Sequence, residues 1–259
     1  MKPADRHNRI VKLVQQHHDV SVEMLATQLD VSRETIRRDL SALDGQGRLR
    51  KVHGGARPGM APGQLVPQAE GPFALRMADN AEAKRRIAAR AATLFDAGDS
   101  VFIDTGTTTL ALAHALVQAP ALVIITNSWR IASIVSSHAE HRVFLLGGAC
   151  NPDAGETLGP LVLEQIKRFH ARHVFLTIGA MDTRTIMDFD AQEAEIAQAM
   201  IERAEEVTVL ADSSKLARRG IFDVAPLSRV NRLVTDHAPP PDVAAALDRA
   251  GAEVITDQP

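Results

Sequence analysis

Two periods of apolar residues divide the chain. Up to residue 57 the spacing is helical. Ile10, Leu13 and Val14 share one face of HNRIVKLVQQHH. Val22, Leu25, Ala26 and Leu29 make a second stripe behind Ser21, which sits where a helix cap belongs. Ile36, Leu40 and Leu43 make a third behind Ser32, with Glu34 in the first turn, where the helix dipole favours negative charge. Three short helices, the last two joined by the tight LDV break, predict a helix-turn-helix. In GRLRKVHGGA, Leu49 and Val52 then alternate with basic residues, which predicts a small β-ribbon, or wing. Past residue 98 the pattern becomes short continuous apolar runs: SVFID, LVIIT, RVFLLG, HVFLTIG, VTVLAD, RLVTD and EVIT. Helical segments lie between most of them, TTLALAHALV, SWRIASIVSS, LEQIKRF, AEIAQAMIERA and VAAALDRA among them. That alternation predicts an α/β fold, a mostly parallel sheet covered on both faces.

A further helix is expected at about 78–95. Between the two patterns GGARPGMAPGQLVPQAEGP, residues 54–72, is rich in Gly and Pro and has neither period, so it reads as a linker. The division is therefore a winged helix-turn-helix domain over 1–57, a linker over 58–74 and a second domain over 75–259.

Composition adds little until charge is mapped. The 259 residues are 45% hydrophobic and 24% charged, with 3% aromatics and no Tyr, so the cores are built from aliphatic side chains. One Cys excludes an internal disulfide framework and fits a reducing compartment. No apolar run is long enough to span a bilayer and no signal peptide is visible, so a cytoplasmic protein is expected. Residues 1–57 hold 11 Lys/Arg against 7 Asp/Glu, net +4; the remainder holds 18 against 25, net −7, which sums to the formal −3. A basic head on an acidic body predicts an anionic partner for the head alone.

The third helix supplies the chemistry for that partner. Opposite its apolar stripe lie Arg37, Arg38 and Ser41, and at its start Ser32, Arg33 and Thr35. A duplex offers dense phosphate charge, and guanine edges that arginine grips bidentately; the start of a recognition helix reaches those edges in the major groove. Arg50, Lys51 and His53 give the wing a basic surface for phosphates. Paired arginines alone also fit a solvated helix; caps, spacing, wing and net charge together favour double-stranded DNA.

RHNRI, VSVEMLA, VSRETIRRDLSAL and GRLRKVHGGA, at this spacing, resemble the N-terminal domain of the DeoR family of bacterial transcription regulators. FIDTGTTTLALAHAL, ITNSWRIA, LLGG, LADSSK and VAPLSRV extend the resemblance over nearly the full chain. It implies a repressor or activator of carbohydrate or polyol catabolism genes, and a repressor is expected here. It also implies a C-terminal domain that resembles ribose-5-phosphate isomerase and binds phosphorylated sugars without turning them over. MDFDAQEAEIAQAMIE and TDHAPPPDV are most similar to members that control glycerol 3-phosphate genes, so the effector is expected to be a phosphorylated sugar or glycerol 3-phosphate.

The body's own residues point the same way. VFIDTGTTTLALAHAL is strand, polar turn, helix; Gly106 permits the turn, and Thr107, Thr108 and Thr109 offer hydroxyls and backbone N–H groups to a phosphate. An open parallel sheet binds ligands beyond the carboxyl ends of its strands, where Asp104, Asn127, Gly147, Gly148, Asp182 and Lys215 fall. Glu193 completes the set. Taken singly, each reads equally well as a cap, turn or surface charge. The family carries two glycines, three apart, before the position of Asp182. Here Thr177 and Ala180 stand there, and their side chains are expected to narrow the pocket or re-aim Asp182. A phosphosugar isomerase with a DNA-binding appendage is the alternative. The similar isomerases place an acidic residue directly after the matched Asp, where this chain has Thr183, so no enzymatic activity is expected. No His, Cys or carboxylate cluster has metal-ligand spacing, and no cofactor or metal is expected. One head is too small for a long operator, so a homodimer or homotetramer is expected.

Overall fold

The computed structural model describes residues 3–17, 20–45, 49–52, 54–58 and 71–256. Contacts group the chain into two compact units, Met1–Val66 and Pro67–Pro259. His53 and the side chain of Arg50 lie outside the described residues, as do residues 59–70 of the expected linker.

The first unit runs α1 (Pro3–His17), β1 (Val20–Ser21), α2 (Val22–Leu29), α3 (Arg33–Gly45), β2 (Leu49–Val52) and β3 (Gly55–Pro58). Ser21 caps α2 by accepting the Met24 N–H, and Ser32 caps α3 by accepting the Thr35 N–H at 3.1 Å. Between these helices Asp30 takes the left-handed conformation (φ 51°) that ends α2, a role its short polar side chain tolerates. The three apolar stripes meet: Ile10, Leu25, Ile36, Leu40 and Leu43 are fully buried in one core with Val14 and Leu49. The wing pairs antiparallel in the order β1-β3-β2. A Cβ on Gly55 would lie 2.2 Å from the Val20 carbonyl oxygen, so only glycine allows that pairing. β3 therefore occupies the start of a stretch that reads as linker, because GGARP has no side-chain alternation to betray a strand.

The second unit begins with α4 (Phe73–Ala78) and α5 (Ala81–Ala92), where one helix over about 78–95 is expected. Asn80, left-handed at φ 54°, breaks the run; Asn adopts that conformation readily, and the helical pattern on either side hides it. There follow β4 (Ser100–Ile103), α6 (Thr107–Leu116), β5 (Val123–Thr126), α7 (Trp129–Val135), β6 (Arg142–Leu145), β7 (Ala149–Asn151), β8 (Glu156–Leu158), α8 (Pro160–Ile166) and β9 (Ala171–Thr177). The chain ends through β10 (Ala180–Met181), β11 (Thr185–Asp188), α9 (Ala191–Glu202), β12 (Ala204–Leu210), β13 (Phe222–Pro226), β14 (Arg232–Thr235), α10 (Pro241–Ala250) and β15 (Glu253–Thr256).

The seven expected strands form one sheet, order β15-β14-β12-β9-β4-β5-β6, parallel throughout. Alternate residues feed two cores. Phe102, Val174, Leu176, Val207 and Val209 pack with α8, α9 and α10, whereas Val101, Ile103, Phe175 and Leu210 pack with α5, α6 and α7. From β4 the chain steps outward to β5 and β6, then returns to β9 on β4's other side and steps outward again. The β4/β9 junction is thus the switch point at which α/β sheets open a crevice. Two further pieces were not legible as strands: the hairpin β7-β8 and the antiparallel sheet β10-β11-β13. Most of their strands mix polar and apolar residues, as in ACN, ETL and TIMD, and so show no continuous apolar run.

Candidate functional site

On the first unit the candidate face is the solvent side of α3. Ile36 and Leu40 are fully buried, while Arg37 and Arg38 are exposed. Arg38 is 80% exposed, 3.4 Å from Glu34, and Arg33 is 67% exposed, 3.5 Å from Glu23. Such exposed pairs are weak and readily exchanged for a phosphate. Ser32 and Thr35 join hydroxyls at 2.9 Å; Ser41 bonds back to the Arg37 carbonyl and accepts from Lys51 Nζ at 2.8 Å. Lys51 is thereby brought from the wing onto the α3 surface, and its own N–H is held by Asp44. Asp39, next to the arginine pair, turns inward. It accepts from Arg6 at 2.6 and 3.1 Å and lies 2.9 Å from His7 Nε2. Burial opposes its charge, but the bonds from Arg6 and His7 prevail and hold the carboxyl below its ordinary range. This clamp, which fastens α1 to α3, has a sequence signal only in the unlike charges at 6 and 39.

In the second unit the crevice is built at the switch point. β4 delivers Asp104, whose carboxylate accepts the Thr177 N–H from the end of β9 at 2.9 and 3.1 Å. After Thr105 the chain turns at Gly106 into α6; a Cβ on Gly106 would fall 2.1 Å from Thr177 Oγ1. β5 delivers Asn127, which accepts from Thr105 and donates to the Thr157 carbonyl and to Glu156. The hairpin β7-β8 folds over this strand end, Ser128 bridging to Glu156, and Asn151 holds Glu156 at 2.9 Å. From the other side Asp190 caps α9 through the N–H groups of Gln192 and Glu193, which sets Glu193 in the first turn facing the crevice.

Asp104, Thr105, Asn127, Glu156, Asp188 and Glu193 line a cavity of about 10 Å³, room for a single water. Asp188 and Glu193 also line a contiguous cavity of about 150 Å³ with Gly71, Arg76, Asn151, Asp153, Ala154, Phe189 and Asp190. So many carboxyls in one place cannot all ionise. Burial pushes Glu193 up to about 9, helped by Glu156 and Asp188 and opposed by Arg76. Burial likewise raises Glu156, and raises Asp104 well above its ordinary value despite the bonds from Thr177 and Thr109. With its value near 9, Glu193 is protonated at neutral pH and can donate a hydrogen bond as well as accept one.

The structure gathers Asp104, Asn127 and Glu193 around one cavity, with the α6 turn of Gly106, Thr107, Thr108 and Thr109 beginning two residues beyond Asp104. Gly106, Thr107, Thr108 and Thr109 themselves line neither cavity, and nor do Gly147, Gly148, Asp182 and Lys215. Gly147 is bonded through both backbone groups to Gln165. Asp182 caps its own hairpin turn, accepting the N–H groups of Arg184 and Thr185, with Arg219 at 3.5 Å. Lys215 ends a single 3₁₀ turn capped by Asp212. Thr177 abuts the α6 turn, whereas Ala180 is buried against Met187 and Phe189. Sequence reading missed Glu156, Asp188 and Arg76: the first two sit on strands that lack a continuous apolar run, the third on a six-residue helix that starts at the very end of the expected linker.

A cationic helix-turn-helix joined to an α/β unit with a polar crevice at its switch point defines a class, a DNA reader coupled to a small-molecule sensor. Comparison makes this specific. Residues 6–58 match the DeoR-like helix-turn-helix domain and residues 79–237 the DeoR C terminal sensor domain. The glycerol-3-phosphate regulon repressor of Escherichia coli K12 is 35% identical over 95% of this chain and 96% of its own. The HTH-type transcriptional regulator GlpR of Haloferax volcanii is 33% identical over 98% of each chain. The chain belongs to the DeoR family of transcriptional regulators. Among solved structures, ribose 5-phosphate isomerase A of Methanocaldococcus jannaschii superposes at a TM-score of 0.40 with 16% identity, covering 53% of this chain and 55% of that one. A likeness that loose carries no weight for activity.

Proposed function

We propose that this regulator is a repressor that holds double-stranded operator DNA through its 1–57 head and lets go when the 75–259 body binds a phosphorylated sugar or glycerol 3-phosphate. The observation that carries the DNA half is the division of α3: Ile36 and Leu40 turned into the core, Arg33, Arg37 and Arg38 turned to solvent with Lys51 laid alongside. In this reading Ser32, Arg33, Thr35, Arg37, Arg38 and Ser41 face bases and nearby phosphates, and Arg50, Lys51 and His53 face the backbone. Those contacts set register and those to base edges set specificity.

For the effector, the start of α6 supplies phosphate-binding N–H groups at Thr107, Thr108 and Thr109, while Asp104, Asn127 and Glu193 bond hydroxyl groups. The larger cavity, about 150 Å³, is below the roughly 300–1,000 Å³ of drug-sized ligand sites, which favours a short polyol ester over a hexose phosphate. Gly147, Gly148, Asp182 and Lys215 ring the same strand ends and meet the ligand only if their loops close on it. The name of the Escherichia coli relative that matches nearly the whole chain supports glycerol 3-phosphate as the first ligand to try. A ligand that prefers one arrangement of paired heads lowers operator affinity by linkage, and two half-sites call for a dimer or tetramer.

The test is a thermal-shift screen of phosphorylated sugars and polyols, followed by anisotropy on a duplex that the protein itself selects from random sequence. Glycerol 3-phosphate should raise the melting temperature and release the duplex, because a ligand bound only to the folded state stabilises it in proportion to the logarithm of its excess over Kd. No shift from any ester in the panel would remove the effector half; no salt-sensitive attraction to any duplex would remove the DNA half.

A further inference from the structure

We propose that Arg76 is an effector-binding residue, and that α4 carries the state of the cavity to the linker; the inference rests on the effector reading above. The geometry starts from what encloses the larger cavity. Three of its walls belong to the body: the β7-β8 hairpin with Asn151 and Asp153, the end of β11 with Asp188, and the start of α9 with Glu193. The fourth is the stretch from Gly71 to Arg76, which follows directly on residues 59–70 in the chain and so on the arm that leads to the DNA head.

Charge singles out Arg76. Asp153, Asp188, Asp190 and Glu193 line this cavity, and among the described residues Arg76 is the one basic residue lining it. A phosphate ester entering walls of that kind needs a cation, and arginine offers a planar fork that matches a phosphate. The guanidinium is close enough to Glu193 to favour that group's ionised form. An anionic ligand would therefore compete for Arg76 and leave the proton on Glu193.

α4 is held by one buried aromatic ring and the polar groups around it. Phe73 is 2% exposed and carries two guanidinium groups over its ring, Arg76 at 5.3 Å and Arg130 at 5.2 Å from its centre. Its N–H bonds the Asp153 carboxylate at 2.9 Å, and Arg130 bonds the Asp153 carbonyl. Lys84 of α5 bonds the Arg76 carbonyl. The other large apolar side chains of this six-residue helix, Leu75 and Met77, are 48% and 43% exposed, so one aromatic ring anchors it. Pulling Arg76 onto a ligand moves one of the two guanidinium groups over Phe73 and the cavity wall together, and α4 must shift or tighten with it.

The test uses the full-length protein and glycerol 3-phosphate, with the phosphosugar panel behind it. Amide exchange over residues 71–78 should slow on ligand addition. Arg76→Gln should weaken ligand binding at least tenfold, Arg76→Lys less, with affinity for the selected duplex unchanged in the absence of ligand. Phe73→Ala should still bind ligand yet need a much higher concentration to release the duplex. If Arg76→Gln binds the ester as well as wild type does, or exchange over 71–78 ignores the ligand, this inference falls while the effector reading stands. If no ester binds the wild type, both fall. Should Arg76→Gln prove misfolded, the exchange result on the wild type decides alone.

Discussion

Arg37, Arg38 and Asp39 are consecutive, and one helix face separates their roles. The arginines reach solvent while the aspartate locks α1 to α3. Arg38→Ala should cost roughly 1–3 kcal/mol of operator affinity if the side chain grips a base, and leave ligand binding alone; anisotropy and a thermal shift in parallel separate the two. Asp39→Asn acts on the fold. It leaves Arg6, only 12% exposed, without its counter-charge and should destabilise the head by about 3 kcal/mol, the low end for a shielded pair. Because the carboxyl is held below its ordinary value of 3.8, the clamp's contribution is complete above that pH and fades as acid brings the pH down through the depressed value. Amide exchange in α3 across an acid series should show the fade in wild type and its absence in Asp39→Asn.

Glu193 carries the opposite sign. Its folded-state value is raised from 4.5 to about 9, so between those pH values the native state binds more protons than the unfolded chain and stability falls as pH rises. Glu193→Gln mimics the protonated form. It should flatten that slope and exceed wild-type stability at pH 8.5 by at least about 1.4 kcal/mol, the worth of one pH unit. Urea unfolding at pH 5.5 and 8.5 gives the comparison.

For the elements, the decisive contact is between the α6 turn and the end of β9. Gly106 has extended backbone that any residue adopts (φ −176°), so its need for glycine is steric and comes from Thr177. Gly106→Ala should therefore cost about 1–3 kcal/mol from overpacking and weaken the ligand response. In Gly106→Ala/Thr177→Gly the clash is removed, and the double variant should recover stability well beyond the sum of the single effects. Additive losses in urea would show that the turn itself, rather than its neighbour, demands glycine. The strands and helices of the main sheet were legible because long apolar runs declare themselves. β7, β8, β10, β11 and the α4–α5 break were not, since a short strand without a continuous apolar run, or one left-handed Asn, leaves no signal.

Across the whole molecule charge is segregated, net +4 before residue 58 and −7 after it. DNA affinity should therefore fall steeply with salt although the formal net charge is −3, with log K linear in log salt. Lys51→Ala should reduce that slope by about one if its ammonium meets a phosphate, and act equally on all sequences. A slope unchanged by the substitution would place Lys51 off the backbone.

By itself the sequence determined the helix-turn-helix, the seven-stranded sheet and the basic head, since each is written in local periods and in charges summed over a segment. Tertiary structure alone decided which polar residues meet. Glu156 and Arg76 reach the cavity because a hairpin and a short helix fold across strand ends far away in the chain, and Asp182 is turned aside to cap its own loop. A period reports which face of an element is buried. It does not report which distant loops share that face, because the pairing of β4 with β9 that fixes the crevice joins segments some seventy residues apart.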